Sequence, residues 1–245
     1  MVAPTHPVLA RAERQQPADV LSDPQWPKMW PFNQHDFRRR DEREDSDFYR
    51  CPAYTTHIDD AAVAALRKFY AGLDAFRESA SSDILDLASS WISHYPNSLS
   101  PAQVSRISGV GMHAEELARN RQLGSFAVRD LNQSSRLPYA DDSMDLVTCA
   151  VSIDYFTNPL VILREVYRVL RVGGECHLSF SNRCFPTKVV GVWLSTNDAG
   201  HVWIVGSYFH FAGGFTPPLV RDISPGIGLD PMYVVSATKC GKASR

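Results

Sequence analysis

Five short apolar runs, "DILDL", "VSRISGV", "FAV", "MDLVTCAV" and "ECHLSF", lie between residues 83 and 180, each bounded by turn formers and separated by helical patterns. Strands that alternate with helices pair side by side only through crossovers, so the pattern predicts an α/β fold with a doubly wound, mostly parallel sheet. In such sheets ligands bind beyond the carboxyl ends of the strands. The informative residues are therefore those just after each run.

The flanking segments extend this scheme. Val63, Leu66, Phe69, Tyr70, Leu73 and Phe76 recur at helical spacing behind Asp59 and Asp60, which places a helix before the first strand. "PLVILREVYRVLR" reads as an amphipathic helix with Pro159 in its first turn and Gly173-Gly174 closing it. Near the C-terminus, Gly213-Gly214 is expected to end a helix, and "PLVRDI" and "MYVVSAT" to form an antiparallel pair. A chain of 245 residues fits one core, giving an expected domain over 59–245 and an N-terminal extension over 1–58. That extension holds Trp26, Trp30, Phe32, Phe37, Phe48 and Tyr49, too many aromatics for a plain tail. Its run "DFRRRDEREDSDF" mixes both signs closely and reads as a solvated face laced with ion pairs.

The formal net charge of -2 with 21% charged residues argues against nucleic acid or an anionic membrane surface as partner. No apolar run is long enough to span a bilayer, and the proline-rich start lacks the apolar stretch of a signal peptide, so a cytoplasmic location is expected. Cys51, Cys149, Cys176, Cys184 and Cys240 show no paired spacing and read as reduced thiols rather than metal ligands. No metal site is expected, and the sequence does not fix an oligomeric state.

Two nucleotide readings arise. "GVGMHA", from Gly109 to Ala114, fits G-x-G-x-x-A between a strand and a helix, and Asp130 follows about twenty residues later, as in a dinucleotide fold. The other reading covers roughly residues 80–182. "DILDLASS", "ISGVGMHAEELARN" and above all "LPYADDSMDLV" with "NPLVILREVYRVLRVGG" closely resemble the class I S-adenosylmethionine-dependent methyltransferases of the type 11 branch. The resemblance implies a Rossmann-like seven-stranded sheet, mostly parallel with a C-terminal antiparallel pair.

It also implies a cofactor site. Asp86 matches the acid that meets the cofactor's amino-acid end, and Ala88-Ser89-Ser90 replace the usual G-x-G, with Ile92 at the third glycine position. Gly111 stands where an acid normally grips the ribose hydroxyls, which makes Gly111→Asp an expected route to tighter binding unless a neighbour such as Glu115 substitutes. Met112 would lie against the adenine, Asp130 would accept its amine, and the N–H of Leu131 would face its ring nitrogen. Ala150 and Val151 would pass beneath the cofactor.

Methyl transfer leaves the protein to align, desolvate and sometimes deprotonate the acceptor. Asp154 is a candidate base or helix cap, Tyr155 a pocket wall, and Asn182 and Arg183 substrate contacts after the fifth strand. His57 lies in a stretch, residues 25–57, that would fold over the cofactor as a lid. His94 would lie behind the loop serines, and Trp203, Tyr208, Phe209 and Phe211 would form core or pocket wall. The leading expectation is a methyltransferase acting on a small molecule. A methyltransferase-shaped binding or scaffold protein without turnover, and an NAD-dependent oxidoreductase, remain as alternatives.

Overall fold

The computed structural model describes residues 6–241. Seven strands, β1 (Ile84–Leu87), β2 (Ile107–Gly111), β3 (Ser125–Val128), β4 (Met144–Ala150), β5 (Leu170–Phe180), β6 (Leu219–Asp222) and β7 (Tyr233–Thr238), form one sheet in the order β3-β2-β1-β4-β5-β7-β6. The first five run parallel; β7 pairs antiparallel with both β5 and β6. The order reverses between β1 and β4, the switch point at which a crevice opens. The helices are α1 (Asp45–Phe48), α2 (Asp60–Ala71), α3 (Pro101–Val104), α4 (Ala114–Arg119), α5 (Pro159–Val169), α6 (Gly191–Leu194) and α7 (Asp198–Ala212). None among the described residues is long and apolar enough to cross a membrane.

Local chemistry accounts for most boundaries. The Asp59 carboxylate accepts from the N–H of Ala62 and caps α2, whose Ala62, Val63, Leu66 and Tyr70 are buried. Pro159 opens α5, and Ile162, Leu163, Val166 and Val169 form its buried stripe. Gly213, at φ 78°, ends α7 in a conformation that costs glycine little. Gly173-Gly174 does not close α5: the helix stops at Val169 and the glycines lie inside β5, at φ 84° for Gly173, beside an irregular register between Met144 and Leu146.

α7 is apolar on every side, which requires cover on every side. The sheet supplies one face and the N-terminal extension the other. Leu9, Ala12, Val20, Leu21, Phe32 and Phe37 are buried in the same cluster as Val202, Trp203, Val205 and Tyr208. The Trp203 indole N–H donates to the Pro24 carbonyl at 3.0 Å, and Trp26 packs on Trp203 with ring centroids 5.0 Å apart. Residues 9–37 are thus part of the main core; only 45–57 approach the crevice. Trp203, Tyr208 and Phe209 are core, as is the wall they make with the extension.

The charged run is also not wholly solvated. Side chains of Arg39 and Asp45 are 7% and 4% exposed, with Arg39 Nη1 2.5 Å from Asp45 Oδ1. Lys188, 1% exposed after β5, lies 3.2 Å from the same oxygen and donates to the Arg43 carbonyl at 2.7 Å. A carboxylate shared by two cations, with carbonyls taking remaining protons, meets the condition for burying charge.

Candidate functional site

A cavity of about 710 Å³ opens at the carboxyl ends of β1, β2 and β4. Its lining combines residues after those strands, residues after β5, and a strap from the extension that includes Asp45, Phe48, Tyr49 and His57. Of the residues singled out from sequence, Asp86, Ala88, Ser89, Ser90, Gly111, Met112, Asp130, Leu131, Ala150, Val151, His57, Tyr155, Asn182 and Arg183 all border it.

Two do not. Gly109 sits inside β2, where the space beside its Cα is filled by the Leu123 side chain at 2.6 Å from an added Cβ. Asp154 is 3% exposed in the turn after β4 and is not among the residues that border the cavity. Its Oδ2 has no partner among the described residues, and it caps no helix, since Asn158 precedes α5. Burial pushes its carboxyl up to about 8, so it is largely protonated at neutral pH.

Asp86 ends β1 as a buried carboxyl within the cavity wall. Burial raises it to about 7, while hydroxyls of Ser89, Ser93 and Thr148 pull the other way; Ser89 Oγ donates to Oδ2 at 2.6 Å. The following loop does without glycine. Ala88 takes φ 53°, and the Ser89 N–H donates to the Val110 carbonyl at 2.7 Å, drawing the loop across the end of β2. There the Ser89 carbonyl lies against Gly111, where any Cβ would collide with it. Gly111 is therefore the residue that admits this loop, and an acid in its place is excluded by backbone contact. The "GVGMHA" glycines make room for neighbouring protein atoms rather than for a nucleotide.

Glu116, not Glu115, faces this region. It lines the cavity from α4, and its two oxygens accept from Ser90 Oγ at 2.5 Å and from the Ala53 N–H at 2.7 Å. The strap is also held by the Trp91 indole N–H on the Thr55 carbonyl at 3.0 Å and by Arg119 stacked 4.3 Å over Tyr54. At its end the N–H of Asp59 donates to Asp230 and that of Asp230 to Asp59, at 2.9 and 2.8 Å. The sequence reading missed Glu116, Asn120 and Asn132. Asn120 Nδ2 donates to Ser90 O and Ser93 Oγ at 3.0 and 2.8 Å, and Asn132 Nδ2 donates to Asp45 Oδ2 and Tyr155 O at 2.9 and 3.0 Å. Their contacts join segments far apart in the chain, which no local spacing reveals.

Asp130 is raised by burial, offset by the N–H of Asn132, which donates to Oδ1 at 2.8 Å. His94 borders the cavity at φ 58°, with Nδ1 buried and without a partner among the described residues; burial and the charge of Arg67 lower it to about 4. Val151 and His57 also have positive φ, at 44° and 61°. Four of the non-glycine residues in this costly region thus border one cavity, as strained backbone tends to do at functional sites.

Residues 92–178 match a protein family described as a methyltransferase domain. The chain is similar to that family over this stretch, under half of its length. The matched stretch begins after the Ala88-Ser89-Ser90 loop, so the unusual loop lies outside it. The ubiquinone/menaquinone biosynthesis C-methyltransferase UbiE of Rubrivivax gelatinosus is 29% identical over 148 residues, 50% of this chain and 59% of that protein. A malonyl-[acyl-carrier protein] O-methyltransferase of Marinomonas sp. is 30% identical over 69 residues, 28% of this chain and 26% of that one. The chain thus spans under two thirds of either curated relative. Among solved structures, a chain from the complex of a putative methyltransferase of Haloferax volcanii with its activator has a TM-score of 0.51 at 15% identity, covering 76% of this chain and 90% of that one. That likeness carries the class I methyltransferase fold, with its strand order and antiparallel β5-β7-β6 end.

Proposed function

We propose that this chain is a class I methyltransferase that binds S-adenosylmethionine in the cavity at the sheet's switch point and transfers its methyl group to a small molecule. The observation that carries the reading is the meeting of Asp86, the Ala88-to-Ser90 loop, Asp130 and Val151 around one cavity.

The donor set suits such a cofactor. A buried carboxyl at Asp86 with one oxygen already held by Ser89 favours a cationic amino group, whose arrival would offset the cost of ionising it. Ala88 at positive φ reproduces the backbone path a glycine normally takes. Asp130, fixed by the Asn132 N–H, keeps a carboxylate oxygen for an exocyclic amine, and Glu116 offers the acid nearest the missing ribose acceptor.

S-adenosylmethionine supplies an activated methyl group; the protein's part is to hold the acceptor in line, exclude water and manage one proton. Tyr155 borders the cavity, and its hydroxyl accepts from the Phe185 N–H at 2.8 Å, which fixes the ring at the cavity wall.

Calorimetry with S-adenosylhomocysteine and transfer of a labelled methyl group into a metabolite extract test this reading. Binding weakened about tenfold or more by Asp86→Asn, on the scale of one charged hydrogen bond, is the expected result. No heat at millimolar S-adenosylhomocysteine with a folded protein would refute it.

A further inference from the structure

Phe185, just after β5, is the hub of a ring cluster. Phe48, Tyr49, His57 and Tyr155 pack around it with centroids 5.4, 6.4, 5.2 and 6.1 Å away. These five side chains come from the strap, the turn after β4 and the segment after β5, yet all border the cavity. None is fully buried; Phe48 is 38% exposed. Aromatic surface left open inside a cavity lacks a partner ring, and ring pairs prefer offset or edge-on contacts at such separations.

The charges around this half of the cavity narrow the occupant further. Lys188 is consumed by Asp45 and two carbonyls, and Arg39 by Asp45. Partial burial lowers the pKa of the His57 imidazole, opposed by the charge of Glu116. Arg183 is 63% exposed and turned toward Asp230 at 3.7 Å. Arg129, which also borders the cavity, donates to the Arg136 carbonyl, whereas the Tyr155 hydroxyl and Asn182 offer neutral polar contacts.

We propose that the methyl acceptor is a planar aromatic molecule without negative charge, seated on the Phe185 ring cluster. This rests on the methyltransferase reading above.

Three probes of one skeleton separate shape from charge: 2-naphthol, its saturated analogue decahydro-2-naphthol, and 2-naphthoate. Their binding is measured by calorimetry on the full chain saturated with S-adenosylhomocysteine. The expected result is at least about tenfold tighter binding of 2-naphthol than of either other probe, since each ring contact contributes roughly two- to tenfold. Phe185→Leu should shrink that preference below about threefold while leaving the dissociation constant for S-adenosylhomocysteine unchanged; Phe48→Leu, on a more exposed ring, gives the same comparison if the first variant does not fold. Equal binding of the three probes, tightest binding of 2-naphthoate, or a preference untouched by both variants overturns the aromatic acceptor while the cofactor reading stands. Failure of S-adenosylhomocysteine itself to bind removes both, and is seen before any probe is added.

Discussion

The carbonyl oxygen of Ser89 stands where a side chain on residue 111 would begin, so the loop after β1 can close over β2 only because residue 111 is glycine. The φ of Gly111 is ordinary, so the constraint is contact rather than backbone freedom. Gly111→Asp, which by sequence alone should tighten cofactor binding, is instead expected to displace the loop. Overpacking of this kind costs about 1–3 kcal/mol. Denaturant unfolding should show that loss, and calorimetry should show weaker, not tighter, binding of S-adenosylhomocysteine; a folded variant with higher affinity would refute the steric account.

Asp86 links pH to stability and, in the proposed reading, to cofactor binding. Its folded pKa, about 7, lies above the ordinary carboxylate value, so between roughly pH 4 and 7 the folded state holds a proton that the unfolded state has lost. Stability falls as pH rises through that window and levels off above it. Binding of a cationic amine needs the ionised form and should strengthen from pH 6 to 8. Asp154, raised to about 8, contributes to the stability slope in the same direction but does not border the cavity. Asp86→Asn should therefore flatten the affinity profile, measured by calorimetry across this range, while part of the stability slope survives.

Removing residues 1–58 should unfold the chain rather than leave a trimmed core. Leu9, Val20, Leu21, Phe32 and Phe37 are all buried against α7 or its neighbours. Each large buried side chain contributes about 1.5–3 kcal/mol, and their sum rivals the whole stability of a typical domain. Circular dichroism and thermal unfolding of a chain starting at Asp59 would check this; a cooperative, folded product would show the extension to be dispensable.

Glu116→Ala removes the hydrogen bonds that tie the strap, through Ala53, to the cofactor loop, through Ser90. The core should remain intact because Glu116 is only partly buried on α4. Faster hydrogen exchange at residues 50–57 and cofactor affinity lower by about 1–2 kcal/mol are expected, on the scale of lost charged hydrogen bonds. Unchanged exchange would mean that Trp91 and the paired Asp59 and Asp230 hold the strap without it.

Asp45→Asn leaves the Lys188 and Arg39 side chains buried without their shared carboxylate. A loss of about 3–5 kcal/mol is expected, and adding Lys188→Met should recover part of it by removing one uncompensated charge. Chemical unfolding of the single and double variants measures the coupling.

The alternation of strands and helices, the antiparallel end of the sheet and the positions after β1, β3 and β4 that border the cavity are legible in the sequence. These follow from periodicity and end signals among residues within a turn or two of one another, and Asp86, Asp130 and Val151 could be located by counting from them. Long-range packing alone shows that residues 9–37 complete the cover of α7, that "DFRRRDEREDSDF" buries Asp45 against Lys188, and that Glu116 rather than Glu115 turns toward the loop. It also sets Gly111 against the Ser89 carbonyl and leaves Asp154 buried outside the cavity lining. Asp45 and Lys188 lie far apart in the chain, and so do Ala53 and Glu116; partners this distant leave no spacing between them. Their pairing is set by the shape of the cavity and by the cost of leaving a buried charge or donor unmatched.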